Sequence, residues 1–274
     1  MKIRAATLAG GKQNQDAYIL GDNFAGVFDG ASNHLAPPGH EKDTIRYVNI
    51  LSQAVKDRLP AARTLASATR AAIDVASNQF QGHPDACPTS TVALARWSDQ
   101  HVETFVLGDS TIVLCGQCEH EITDDRISAI GADIRLAYRK ALRCGQGFNS
   151  THAKRLQHLQ RLQAERRNRA GGYWIAGNDS QAAYHGLAQT WDRCDISSLI
   201  LGTDGGLAPR NYGLFGTWDD LREVDLEELL LAATALERTD QGGSEWPRSK
   251  RSDDKTLVHI SLRDDGCDDN LNKG

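Results

Sequence analysis

The chain has 274 residues, 40% of them hydrophobic and 24% charged, and its formal net charge is −5 at pH 7. This composition is that of an ordinary globular protein, and it lacks the basic surplus of most nucleic-acid-binding proteins. No stretch approaches the roughly 20 apolar residues that a membrane-spanning helix needs. The first ten residues carry only a short apolar run, which favours a first strand over a signal peptide. We therefore expect a cytoplasmic protein with no membrane and no nucleic-acid partner.

Apolar runs and helical spacings predict a definite order of elements along the chain. After the first strand come strand 24–28, helix 41–59, a second helix opened by Pro60, strands 90–97, 102–107 and 111–115, helix 150–170, strand 196–201, helix 219–237 and strand 256–262. The helices come in groups and do not alternate with the strands, which argues against a doubly wound parallel sheet. We expect an α+β fold with antiparallel sheets in one domain over residues 1–263. A polar, frayed tail over residues 264–274 would follow it.

Two segments allow more than one interpretation. Cys115-Gly116-Gln117-Cys118 is a C-x-x-C, but no second C-x-x-C and no histidine pair at zinc spacing accompany it. Free cysteines in a reducing compartment are therefore favoured over a zinc or redox site. Residues 150–170 hold six lysines and arginines against one acid, Glu165. They indicate either a solvated amphipathic helix packed on the domain, which we favour, or a basic surface that recruits a phosphorylated partner.

The most informative feature is a set of aspartates that each stand beside an apolar strand. Its members are Asp16, Asp29, Asp109, Asp204 and Asp254. A carboxylate at a strand end is held rigidly and can project into a cleft, where hard cations such as Mg²⁺ and Mn²⁺ bind oxygen ligands. Several carboxylates that converge would repel one another unless cations neutralised them. A single Asp-Gly is more often a turn than a ligand, so the joint pattern carries the prediction.

Six motifs in order resemble those of the PP2C-type metal-dependent serine/threonine protein phosphatases. They are Asn14-Gln15-Asp16-Ala17, Gly26-Val27-Phe28-Asp29-Gly30, Pro88-Thr89-Ser90-Thr91-Val92-Ala93, Leu107-Gly108-Asp109-Ser110, Leu201-Gly202-Thr203-Asp204-Gly205 and Ser252-Asp253-Asp254-Lys255-Thr256. Together they span nearly the whole chain. The resemblance implies a four-layer α/β/β/α sandwich around two central antiparallel sheets.

The resemblance also implies roles for individual residues. Asp29 would bridge two Mn²⁺ or Mg²⁺ ions, with the Gly30 carbonyl on one of them and with Asp204 and Asp254 completing the other. Asp109 would help Asp204 to hold a third ion. Asp16 would orient the attacking water, which the two cations activate for in-line hydrolysis of a phosphoserine or phosphothreonine ester.

Four positions depart from the family pattern. Gln15 stands where the family has a glutamate ligand, which weakens one metal site. Lys12 is the candidate for binding the substrate phosphate in place of the family's arginine, without its bidentate geometry. His34, or His40, is the candidate acid that protonates the leaving group, because Ala31 replaces the family's histidine. Lys255 replaces an asparagine and has no assigned role.

Three functional hypotheses follow. The first is an active phosphatase acting on phosphorylated proteins. The second is a pseudophosphatase that binds a phosphorylated partner or regulates it without turnover, which Gln15, Ala31 and the missing arginine favour. The third is a metal-dependent hydrolase of a small phosphorylated metabolite. The sequence makes no prediction about the oligomeric state.

Overall fold

The computed structural model describes residues 1–31, 40–80 and 87–262, with side chains from residue 42 onward in the second range. The predicted tail over 264–274 and His34 lie outside these ranges, as does the side chain of His40. In chain order the strands are β1 (Lys2–Leu8), β2 (Ala17–Leu20), β3 (Phe24–Phe28), β4 (Val92–Trp97), β5 (His101–Leu107), β6 (Thr111–Gly116), β7 (His120–Ile122), β8 (Leu187–Asp192), β9 (Ile196–Gly202) and β10 (Lys255–Ser261).

The strands form two five-stranded sheets in which every neighbouring pair is antiparallel. The first sheet has the order β1-β10-β9-β6-β7, and the second has the order β2-β3-β4-β5-β8. The predicted strands 24–28, 196–201 and 256–262 correspond to β3, β9 and β10. These runs are buried on both faces, which explains why they are almost continuously apolar.

The helices are α1 (His40–Arg58), α2 (Leu65–Ser77), α3 (Arg126–Ala129), α4 (Ala132–Arg143), α5 (Ser150–Arg166), α6 (Asp204–Asn211) and α7 (Leu226–Thr239). The predicted helices 41–59 and 150–170 match α1 and α5. The helix predicted from Pro60 begins only at Leu65, because Pro60 lies in a short 3₁₀ turn over Leu59–Ala61. The predicted helix 219–237 is split between a 3₁₀ turn, Trp218–Arg222, and α7.

Alternating side chains of β3 join two separate apolar layers. Phe24 and Phe28 pack in the cluster that includes Tyr47 and Leu51 of α1 and Ile73 of α2. The intervening Ala25 and Val27 belong instead to the cluster shared with Ile112, Leu201 and Val258 of the first sheet. This alternation follows from the two-residue period of a strand. The two sheets therefore pack face to face.

The outer face of the first sheet is covered in turn by the C-terminal helices. Val113, Ile200 and Leu257 of that sheet cluster with Leu229 and Leu230 of α7. The layers are thus helices, sheet, sheet and helices, which confirms the predicted α+β four-layer architecture with two antiparallel sheets.

The segment from α3 to α5 forms a small unit beside the sandwich. Ile134, Tyr138 and Leu142 of α4 pack with Leu159 of α5 in a cluster of their own. The predicted basic segment is therefore a helix packed through a narrow apolar face, as the favoured interpretation holds. Recruitment of a partner by its basic side stays a prediction.

The cysteines of the C-x-x-C, Cys115 and Cys118, are both free. Among the described residues, no helix has the length and apolar character needed to cross a membrane.

Candidate active site

A large cleft opens between the edges of the two sheets and the unit formed by α3 to α5. Its volume is about 2100 Å³. Among the residues that line it are Asp29, Gly30, Asp109, Asp204, Lys250 and Asp253. The structure thus brings together four of the residues that the sequence singled out, together with two that it did not.

Asp29 is fixed at the end of β3 by its neighbours in the second sheet. Its backbone N–H donates to Thr91 Oγ1 at 3.2 Å, and its carbonyl accepts from the Thr91 N–H at 2.9 Å. Thr91 in turn shares a 2.6 Å hydrogen bond with Ser110. Gly30 follows in a tight contact, since a Cβ there would lie 2.7 Å from the Gln15 carbonyl oxygen. Only glycine fits this position, which leaves its backbone facing the cleft.

Asp204 begins helix α6 where β9 ends. Thr203 caps this helix by accepting a 3.2 Å hydrogen bond from the Gly206 N–H. A Cβ on Gly205 would collide with the Asp254 carbonyl oxygen, so glycine lets the first turn of α6 lie against the chain that enters β10. This close approach brings Asp204 beside Asp253.

The structure corrects the prediction for Asp254. Its Oδ1 accepts from the Gly10 N–H at 2.8 Å, and its Oδ2 accepts from the Gln15 N–H at 2.9 Å. Asp253, not Asp254, lines the cleft. Adjacent side chains of an extended segment point to opposite sides. Asp253 therefore faces the cleft, and Asp254, the predicted ligand, faces away from it. Asp254 instead ties the motif around Gln15 to the start of β10.

Asp109 occupies the turn between β5 and β6, after Gly108, whose φ of +86° suits glycine. Its carbonyl oxygen accepts from Thr123 Oγ1 at 3.2 Å. Burial raises the pKa of Asp109, while Arg135 opposes the shift. Burial, and next the carboxyl of Asp109, raises the pKa of Asp204, and both residues line the cleft.

Asp16 lies behind this cluster, and only one of its two carboxyl oxygens has a hydrogen-bond partner. Its Oδ2 accepts from Thr203 Oγ1 at 2.9 Å, whereas its buried Oδ1 has no hydrogen-bond partner. Burial raises the pKa of Asp16 to about 8, against the Thr203 hydrogen bond, and repulsion from Asp253 and Asp254 adds to the rise. An unpartnered buried carboxylate oxygen is costly, which marks a position where a further donor belongs.

The remaining carboxyls of the cleft show the same electrostatic signature. Burial raises the pKa of Asp29 well above its usual range, and repulsion from Asp16, Asp204 and Asp253 adds to the effect. Burial and Asp204 raise the pKa of Asp253 to about 6. Asp204 keeps part of its surface exposed to solvent. Its pKa is nevertheless raised, because the walls of the cleft displace water from the carboxyl and Asp109 repels its charge. Neighbouring carboxylates of this kind are stable together only when protons or cations neutralise them.

The donor set fits hard divalent cations. In the described part of the chain, no group of three or more His, Cys, Asp or Glu side chains is placed to hold a metal ion by itself. The carboxyls instead spread along the walls of the cleft, next to the backbone of Gly30. Mg²⁺ is commonly held by one or two carboxylates with several waters, so an open, water-rich arrangement suits it better than a closed cage.

One predicted residue, Lys12, is not part of this arrangement. Lys12 is exposed and does not line the cleft, so the structure gives no support to its assignment as the phosphate-binding residue. Lys250 does line the cleft, and its Nζ lies 2.5 Å from Asp253 Oδ1. Its turn-rich surroundings in the sequence carry no periodic signal that would have identified it. His34, the candidate acid, lies outside the described residues.

Lys255 has a structural role that the sequence did not reveal. Its side chain is fully buried, and its Nζ donates to Glu237 Oε2 at 2.8 Å and to the Asp253 carbonyl oxygen at 2.9 Å. Glu237 also accepts from Tyr212 and Ser252, at 2.9 and 2.6 Å. This buried network fixes the backbone of Asp253 beneath the cleft.

No protein-family model and no curated protein sequence matches the chain. Solved structures do match it over nearly its whole length. Serine/threonine phosphatase Stp1 from Staphylococcus aureus superposes with a TM-score of 0.56 at 14% identity, covering 96% of this chain and 95% of that one. The PPM Ser-Thr phosphatase MsPP from Mycobacterium smegmatis gives 0.55 at 17% identity, covering 96% and 99%.

A third match carries metal ions. The catalytic domain of the serine threonine protein phosphatase PstP, in complex with two manganese ions, gives a TM-score of 0.51 at 15% identity and covers 95% of this chain and 97% of that one. At identities this low, a structural likeness establishes the fold and not the reaction. The resemblance inferred from the six motifs is confirmed at that level: this chain has the fold of the PP2C-type (PPM) serine/threonine phosphatases.

Proposed function

We propose that this chain is a metal-dependent phosphatase that hydrolyses phosphoserine and phosphothreonine esters of proteins. One observation carries the proposal, namely that four aspartates from four separate segments line one cleft. They are Asp29, Asp109, Asp204 and Asp253. The fold shared with Stp1, MsPP and the manganese-bound PstP supports the same conclusion.

Two Mn²⁺ or Mg²⁺ ions bound in this cleft would supply Lewis acidity and lower the pKa of a water molecule. By the family resemblance Asp29 would hold both ions, and the nearby carboxyls of Asp204 and Asp253 would complete the ligand set. Asp253 takes the ligand role first assigned to Asp254. Asp109 and Asp204 repel each other and would share a third ion.

Asp16 is proposed to orient the attacking water. Its Oδ2 is held by Thr203, so its unpartnered Oδ1 is fixed in direction and can accept a hydrogen bond. A water held in this way has one proton engaged and a lone pair free to attack phosphorus in line with the leaving serine or threonine oxygen. Protonation of that oxygen by His34 stays a prediction from the sequence, as do the cytoplasmic location and the domain limits.

The test is turnover of p-nitrophenyl phosphate and of phosphoserine and phosphothreonine peptides by the purified chain, with Mn²⁺, with Mg²⁺ and with EDTA. We expect turnover only with a cation. Asp29→Asn and Asp253→Asn should each lower kcat by about two orders of magnitude or more, the scale of removing one group that stabilises the charge of a transition state. Asp22→Asn, in the exposed turn before β3, is the matched control and should retain activity.

Three results would redirect the proposal. Phosphopeptide binding in EDTA with no turnover under any condition would indicate a pseudophosphatase that acts as a binding or regulatory module. Turnover confined to small phosphate esters would indicate a metabolite hydrolase. Full activity in the Asp29→Asn variant would refute the assignment of the cleft itself.

A further inference from the structure

Lys250 places a positive charge among the carboxylates where divalent cations are proposed to bind. Its Nζ lies 2.5 Å from Asp253 Oδ1, and its side chain is 34% exposed. Asp29 and Asp204 also attract it. Several arginines also line the cleft, but among the described ion pairs Lys250 is the cation paired with one of the four aspartates, Asp253.

The backbone on both sides of Lys250 is tethered, so the ammonium group is directed into the cleft. Before it, Arg248 donates to Asp240 Oδ2 at 2.8 Å and to the Glu237 carbonyl oxygen at 3.0 Å. The Ser249 carbonyl lies 2.7 Å from His152 Nε2 of α5. After it, Lys255 holds the Asp253 carbonyl. A lysine on a mobile loop would have none of these constraints and would point to solvent.

The position of this ammonium has a consequence for cation binding. An ion ligated by Asp253 would have to share that carboxylate with Lys250 or displace it. Like charges a few ångströms apart repel even in a largely aqueous cleft. Lys250 therefore stabilises the carboxylates when no divalent ion is bound and disfavours the ion when it arrives.

We propose that Lys250 is the resident counter-ion of the cleft, competing with a divalent cation for Asp253. The inference rests on the proposed metal-dependent function, which supplies the cation, but it concerns affinity for the metal and not turnover. It also agrees with the presence of Gln15 in place of an acidic ligand, since both features lower the negative charge available to cations.

The test compares Lys250→Met with wild type, with Lys250→Arg and with Lys56→Met, which alters an exposed lysine of α1. Calorimetry with MnCl₂ at neutral pH measures the Kd, and scanning calorimetry in EDTA measures the melting temperature of the metal-free protein. We expect Lys250→Met to bind Mn²⁺ roughly ten-fold more tightly, the scale of one removed like-charge contact. Lys250→Arg and Lys56→Met should stay within about three-fold of wild type, because both keep the charge of the cleft.

The metal-free protein gives an independent readout. Lys250→Met should melt at a lower temperature than wild type in EDTA, and saturating Mn²⁺ should remove that difference. An unchanged or weaker Mn²⁺ affinity in Lys250→Met would overturn the competition. If wild type still binds Mn²⁺ and Asp29→Asn does not, the proposed metal site itself stands. An unchanged melting temperature in EDTA would overturn the counter-ion role. Failure of every variant to bind Mn²⁺ would overturn the proposed function and the competition together.

Discussion

Replacing Lys255 by methionine tests whether the buried network below the cleft fixes Asp253. The side chains of Lys255 and Glu237 are 0% and 3% exposed, and their ion pair measures 2.8 Å. The substitution keeps most of the side-chain volume but leaves the Glu237 carboxylate buried with only the hydroxyl groups of Tyr212 and Ser252 as donors. An unpaired buried charge is among the most destabilising defects a core can contain.

The expected magnitude follows from the burial. Breaking a buried ion pair on one side costs about 3–5 kcal/mol. At roughly 2–4 °C per kcal/mol for a domain of this size, the melting temperature should fall by about 6–20 °C. Activity at low temperature should fall as well, because the Asp253 carbonyl loses the donor that holds it at 2.9 Å.

The assay is thermal unfolding followed by circular dichroism, with Lys140→Met, an exposed residue of α4, as the matched control. The double variant Lys255→Met with Glu237→Leu removes both charges and should recover much of the lost stability, since no buried charge remains unpaired. If Lys255→Met melts within about 2 °C of wild type, the reasoning is refuted, because the pair cannot then be the buried anchor described.

Two further predictions concern other buried groups. Burial, and next the charge of Arg4, lowers the pKa of His259 to about 4. Below about pH 6.5 the unfolded chain therefore binds more protons than the folded chain. The free energy of unfolding should fall on acidification, by about 2 kcal/mol at pH 5. Measured by urea unfolding, His259→Gln should flatten the pH dependence of stability, whereas His101→Gln at the surface should not. The same pH dependence in both variants would contradict the role of His259. Gly205→Ala should lower the free energy of unfolding by about 1–3 kcal/mol and remove most activity, because the new Cβ collides with the Asp254 carbonyl oxygen. Gly242→Ala, whose Cβ meets open space, should keep both stability and activity. Equal melting temperatures for the two alanine variants would show that α6 can shift freely.

The elements that the sequence predicted well are those whose burial leaves a regular pattern. Strands β3, β9 and β10 are buried on both faces and read as short apolar runs. Strand β8 was missed because it is largely exposed and pairs along one edge with β5. Helix α6 was missed because it contains two glycines and Pro209, which favour other structures locally. Its capping by Thr203 and its packing against the chain entering β10 override that preference.

The sequence by itself determined the order of the acidic motifs, their attachment to strand ends and the class of fold, because these depend on local pattern and on residues close together in the chain. Only the tertiary structure decided which carboxylates share a cleft. It placed Asp253 inside and Asp254 outside, left Lys12 at the surface, and brought Lys250 into the cleft from a loop with no regular pattern. Side-chain direction at such positions depends on contacts with segments distant in sequence, and no local pattern encodes it.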